Sequence, residues 1–266
     1  MTHRPEPWPA HVISLALRFR AWLLSRGVID VTFTGAGVRR ADVAVVIDVL
    51  RATSTVTQAL AGGYEKVICV ESIERAQTLR GPGRVLAGER HCIKPAGFDQ
   101  GNSPLEAIDR RGRELVLATT NGAPTIVAAA RHAATVLLAC MLNLEAVVGA
   151  LLASHDPSSR AVQIVCSGTD GALALEDTYL AGRLCAALPG PRTDATKAAE
   201  AVARAYAQPL DALEQGADAA VLREVGLEAD IAYCARESTL ATVPRVCAAS
   251  DGIAEVGLAG RLTPHS

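Results

Sequence analysis

"DVAVVIDVLRATSTVTQALAGG" (residues 42–63) decides the fold. Its apolar run through Ile47 reads as a buried strand. The segment after Arg51 reads as a helix, with hydroxyls available to cap its start and Gly62–Gly63 to stop it. Between the two stand Asp48 and Arg51. Charges are costly in a core unless they are paired or used. The strand therefore ends either in a buried structural ion pair or at the floor of a site.

The same unit recurs. "KVICV" (66–70) is a strand before the helix "SIERAQTLR" (72–80), with Ser72 as its cap. "RVLAGER" (84–90) is a further strand. "ELVLATTNG" (114–122) leads into "APTIVAAARHA", and "ATVLLACML" (134–142) into "LEAVVGALLA". "AVQIVCSGTDG" (161–171) precedes the long helix "ALEDTYLAGRLCAAL". This alternation predicts an α/β fold of three α/β/α layers, with a mostly parallel or mixed sheet covered by helices on both faces. Residues 189–229 are alanine-rich and helical, and "DIAYCA" (230–235) is expected to return one short edge strand. The chain divides into an N-terminal extension or amphipathic helix over residues 1–40 and one α/β domain over 41–266.

Bulk properties narrow the function. The chain has 266 residues, half of them apolar but only 3% aromatic, so its core must be built from Ala, Val, Leu and Ile. With 26 basic and 28 acidic residues and no long basic stretch, nucleic acid and anionic membrane are poor partners. Seven cysteines stand singly at 69, 92, 140, 166, 185, 234 and 247, with no C-x-x-C. That suggests small buried thiols in a reducing cytoplasm. "HVISLALRFRAWLLSRG" (11–27) is interrupted by Arg18 and Arg20, so it reads as neither a signal peptide nor a membrane span.

In such a sheet, ligands bind at the carboxyl ends of strands. Those ends deliver Asp48 and Arg51, Glu89 and Arg90, Thr120 with Asn121 and Gly122, and Cys166 with Gly168. Glu176 and Asp177 open the following helix, and the loop "GFDQGNSP" (97–104) adds Asn102 and Ser103. Carboxylates are hard oxygen ligands suited to Mg²⁺, and arginines offer forks for phosphate or sulfonate. Carboxylate, metal and arginine together suit phosphoryl transfer. Each piece also has an ordinary reading. Ser103-Pro104-Leu105-Glu106 fits a capping box, Glu176 and Asp177 fit the first turn of any helix, and Cys166 fits a small buried residue as well as a nucleophile. No P-loop, Cys-x₅-Arg loop, Asp-x-Asp pair or G-x-G-x-x-G is present.

"VVIDVLRATST", "LAGERHCIKPAGFDQGNSP", "LATTNGA", "MLNLEAV" and "VCSGTDGALALEDTYLAG", in this order, resemble the 2-phosphosulfolactate phosphatase (ComB-like) family. "DIAYCARESTLATVPRV" is similar to the C-terminal signature of that family. The resemblance implies Mg²⁺-dependent hydrolysis of (2R)-O-phospho-3-sulfolactate to (R)-3-sulfolactate and phosphate. On that basis Asp48, Glu89, Glu176 and Asp177 form the pool of metal ligands. Asp48, Glu89, Cys166 and Glu176 are the catalytic candidates. Arg51 and Arg90 bind the anionic ester; Asn102, Ser103, Thr120 and Asn121 orient its oxygens; Gly122 and Gly168 permit close approach. The sequence leaves open direct water attack or a phosphoenzyme on Asp48 or Cys166, another small phosphorylated acid as substrate, a non-catalytic anion binder, and a homodimer.

Overall fold

The computed structural model describes residues 27–154 and 160–259. Residues 1–26, and with them the expected amphipathic helix up to its last residue, lie outside them. Among the described residues the sheet has nine strands: β1 (Ile29–Thr32), β2 (Ala41–Ile47), β3 (Lys66–Val70), β4 (Arg84–Gly88), β5 (Glu114–Ala118), β6 (Ala133–Ala139), β7 (Val162–Cys166), β8 (Pro244–Ser250) and β9 (Ile253–Leu258). Their spatial order is β1-β7-β2-β6-β8-β9-β3-β5-β4. The pairs β1–β7, β7–β2, β2–β6, β3–β5 and β5–β4 are parallel, whereas β6–β8, β8–β9 and β9–β3 are antiparallel.

The helices are α1 (Ala52–Ala61), α2 (Ile73–Thr78), α3 (Gly122–His132), α4 (Leu144–Ser154), α5 (Leu175–Ala187), α6 (Asp194–Ala205), α7 (Pro209–Gln215), α8 (Ala217–Glu224) and α9 (Glu228–Cys234). Ser72 caps α2 as expected, accepting from the Arg75 amide at 3.1 Å. Gly62 ends α1, followed by Gly63 at φ +96.

Strand alternation builds three cores, the smallest of them around Ile68, Leu86 and Val116 on β3, β4 and β5. Val43, Val45 and Ile47 of β2 face one layer with Tyr179, Leu180 and Leu184 of α5. Ala44 and Val46 face the other, with Val56 of α1 and Ile126 of α3. The second core also takes Val67, Leu115 and Leu117, so it joins both halves of the sheet. The β8–β9 hairpin reverses the strand sense between those halves. Sheet twist of roughly 20–25° per strand pair accumulates across the reversal. The carboxyl ends of β2, β4, β5 and β7 consequently meet at one cleft.

Three strands escape the sequence reading. β1 falls in the expected extension, and Asp30 breaks its apolar run; it nevertheless pairs with β7, so the sheet reaches back to residue 29. β8 is largely exposed and small-residue-rich, without a buried-strand signal. In β9, Ala254 and Val256 alternate inward. One expectation is corrected: "DIAYCA" is part of helix α9. Ile231 and Cys234 are buried at helical i, i+3 spacing, with Glu228 and Asp230 in the acid-favouring first turn. Among the described residues, no helix is long and apolar enough to cross a membrane.

Candidate active site

Asp48 stands one residue beyond β2. Its Oδ1 accepts from the Ala52 amide at 2.9 Å, so a carboxylate begins α1. This corrects the expected hydroxyl cap. Thr53 and Ser54 lie past the cap, where their hydroxyls find carbonyls behind them: Thr53 donates to Asp48 O at 2.8 Å and Ser54 to Val49 O at 2.7 Å. A Cβ at Gly122 would collide with Asp48 Oδ2 and the Ala52 methyl, so only glycine lets the start of α3 close on this carboxylate.

Glu89 follows β4 and is held by the loop after β5. It accepts from the Thr120 amide at 2.6 Å, the Thr120 hydroxyl at 3.1 Å and the Cys92 amide at 3.0 Å. Arg51 donates through Nη1 to Asp230 Oδ2 at 2.7 Å, and both side chains are 2% exposed. The other Asp230 oxygen accepts from Ser103 Oγ at 2.6 Å. Arg51 is thus a buried ion-pair partner, of Asp230 rather than of Asp48, and it also lines the cleft.

The cleft is open to solvent, with a volume of about 640 Å³. Asp48, Arg51, Glu89, Asn102 and Asp218 face into it, and Thr120–Asn121 form one wall. Asn102 Oδ1 is buried without a hydrogen-bond partner among the described residues. Asp218, on α8, accepts from the Thr169 hydroxyl at 2.6 Å. The Asp48 carboxyl is pushed up to about 7, first by burial and then by Asp218 and Glu89; the Ala52 amide and Arg51 oppose the shift.

Other candidates stand outside the lining. Arg90 turns back to its neighbour, donating to Glu89 O at 2.9 Å. Ser103 makes no capping box, because residues 101–110 form turns and its hydroxyl is committed to Asp230. Gly168, at φ +63, donates its amide to Asp177 Oδ2 at 3.1 Å; Asp177 Oδ1 accepts from Val49 N at 2.9 Å. Asp177 thus ties the ends of β2 and β7 together. Glu176 lies behind Asp218, against Gly216, whose hydrogen leaves room for Glu176 Oε2. Burial drives both carboxyls well above their ordinary values, with neighbouring carboxylates adding to it. Cys166 is fully buried on the α5 face, co-facial with Ile164, and burial pushes its thiol well up. It touches the core rather than the cleft, which corrects its place among the catalytic candidates.

Two acids at the site were not singled out in the sequence. Asp218 sits in the first turn of a short alanine-rich helix, where an acid is commonplace. Asp230 lay inside the quoted C-terminal signature, the only signal that could have found it.

Among the described residues, no three His, Cys, Asp or Glu side chains converge as a metal site. Mg²⁺ does not require that, since it commonly takes one or two carboxylates with waters and phosphate oxygens. Asp48 with one of the two acids that repel it, Glu89 or Asp218, and the unpartnered Asn102 oxygen on the same lining, is a donor set such an ion fits.

The mixed α/β sheet gathers carboxylates, a buried arginine and amide donors around one cleft, the features of an α/β enzyme acting on a small anion. The chain belongs to the 2-phosphosulpholactate phosphatase family, whose model matches residues 34–248. A protein of Thermus thermophilus is 41% identical over 209 residues, spanning 76% of this chain and 87% of its own length. One from Thermotoga petrophila is 38% identical over 82% of this chain and 94% of its own, and one from Deinococcus radiodurans 37% identical over 79% and 90%. All three are named probable 2-phosphosulfolactate phosphatase.

Proposed function

We propose that the chain hydrolyses (2R)-O-phospho-3-sulfolactate to (R)-3-sulfolactate and phosphate with the help of Mg²⁺. The observation that carries this reading is the meeting of Asp48, Glu89 and Asp218 with Arg51 in one cleft, in a chain of this family. An anion-only binder would gain nothing from three acids facing its ligand.

Asp48, with Glu89 or Asp218 as a second carboxylate, would hold the cation together with waters, and the cation would supply charge neutralisation at the phosphoryl oxygens. Asp230 fixes the Arg51 guanidinium, so its remaining donors meet the phosphate without reorganising. Thr120 locks Glu89 from the side, and Asp170 N donates to Asn121 Oδ1 at 3.3 Å, leaving the amide nitrogen of Asn121 to donate. Burial of Arg51 and Asp48 strengthens each of these interactions. Cys166 is withdrawn from the cleft, which favours water or Asp48 over a cysteine as the attacking group.

The test is phosphate release from phosphosulfolactate and from phospholactate, with magnesium titrated and then removed by EDTA. The reading expects magnesium-dependent turnover with phosphosulfolactate preferred by at least tenfold. Turnover insensitive to EDTA would remove the metal from the scheme. Preference for phospholactate would assign a different small phosphorylated acid.

A further inference from the structure

A second concavity, of about 560 Å³, lies on the other side of the Thr120–Asn121 wall. It has a different chemical character from the cleft. Among the described residues, no charged side chain lines it. Its polar surface comes from Thr34, Thr125, Ser167 and the shared Thr120 and Asn121. Ser167 is part of the lining, and its Oγ is buried with no hydrogen-bond partner among the described residues. Its backbone is pinned on both sides: its amide donates to Ile47 O at 2.8 Å, and its carbonyl accepts from the Gly35 amide at 3.1 Å. Strand alternation explains the hydroxyl's direction. Ile164 and Cys166 face the α5 core, so Ser167 turns the other way. Thr125 donates to Asn121 O at 2.8 Å, which braces the shared wall. Gly35, Ala36 and Ala128 keep the space open.

We infer that this concavity is the sulfonate subsite, with Ser167 as its buried donor and Thr120–Asn121 as the divider from the phosphate end. The inference rests on the phosphatase reading of the cleft. A sulfonate is permanently ionised, and its charge is spread over three weakly basic oxygens. Neutral hydroxyl and amide donors satisfy such a group without a cation. A phosphate dianion concentrates charge and needs the arginine and metal of the neighbouring cleft. A carboxylate concentrates its charge on two oxygens and favours a guanidinium fork, which this concavity does not offer. A three-carbon acid laid across the shared wall would place its phosphate in the cleft and its sulfonate in the concavity, with its carboxylate between them.

Calorimetric binding of (R)-3-sulfolactate and (S)-lactate, which share one spatial arrangement at C2, tests this without any turnover. The wild-type chain should bind sulfolactate at least tenfold more tightly than lactate. Ser167→Ala removes the buried donor, and Ala128→Met fills the concavity from the exposed side of α3 without removing a hydrogen bond. Each should cut the sulfolactate-to-lactate preference by at least fivefold, and should lower the kcat/KM ratio of phosphosulfolactate over phospholactate in parallel. Equal wild-type affinity for the two acids, or a preference intact in both variants, overturns the subsite. Tight sulfolactate binding that is lost in the variants, with no phosphate released from either ester, would keep the subsite and overturn the phosphatase reading instead.

Discussion

Asp230 joins side chains that chain order keeps far apart: Ser103 is 127 positions away and Arg51 179. Removing one partner of a buried pair leaves the other charge uncompensated, at a cost of about 3–5 kcal/mol. Asp230→Ala should therefore lower stability by that amount in urea denaturation. Asp230→Asn, which keeps the shape and an acceptor, should lose less stability while raising KM more than it lowers kcat. A variant that loses stability but keeps wild-type KM would show Asp230 to be only a strut. Asp48→Asn retains an oxygen for the Ala52 amide and relieves carboxylate repulsion. Its melting temperature should hold or rise while phosphate release falls at least hundredfold; near-normal turnover would remove Asp48 from the chemistry. Cys166→Ala should leave kcat within twofold and cost about 1 kcal/mol, as expected for a small core truncation. A collapse of kcat in a folded Cys166→Ala protein would restore the thiol as a nucleophile.

At the scale of elements, the βα units were legible because their strands are buried on both faces and their helices begin at recognisable turns. The positions of Asp48, Glu89 and Thr120 followed from that pattern, since each stands within two residues of a strand end. The function of Asp177 was not legible. An acid in a first helical turn looks the same whether it faces water or bridges two backbone amides, and only the approach of Val49 and Gly168 distinguishes the two. The same holds for Asp218 on α8. Period-2 reading of β7 would have placed Cys166 in the core, because it shares a face with Ile164. The start of α3 carries its own test. Gly122→Ala would push a methyl into Asp48 Oδ2 and Ala52, so it should destabilise by about 1–3 kcal/mol and reduce turnover by at least tenfold. Denaturant midpoints and steady-state rates read both effects. Unchanged values would mean that the α1–α3 contact is looser than the geometry requires.

Across the whole molecule, the β8–β9 hairpin links two parallel blocks of opposite sense, and a single apolar core runs through both. The blocks should therefore unfold together. Urea transitions followed by far-UV circular dichroism and by hydrogen exchange of β2 and β3 amides should coincide. Separate midpoints would show two independent halves. The site depends on the same continuity, because Asp48 and Glu89 belong to opposite blocks yet face one cleft.

The hairpin also has a temporal consequence. β8 and β9 follow every other strand in the chain, yet they occupy the middle of the sheet. While the chain is being synthesised, β6 and β3 each wait with an unpaired edge until residues 244–258 have emerged. A sheet that closes last at its centre cannot grow outward from its first strand. Its exposed intermediate edges make the newborn chain a natural client for chaperones, and enzymatic competence arrives only when the final strands slot in.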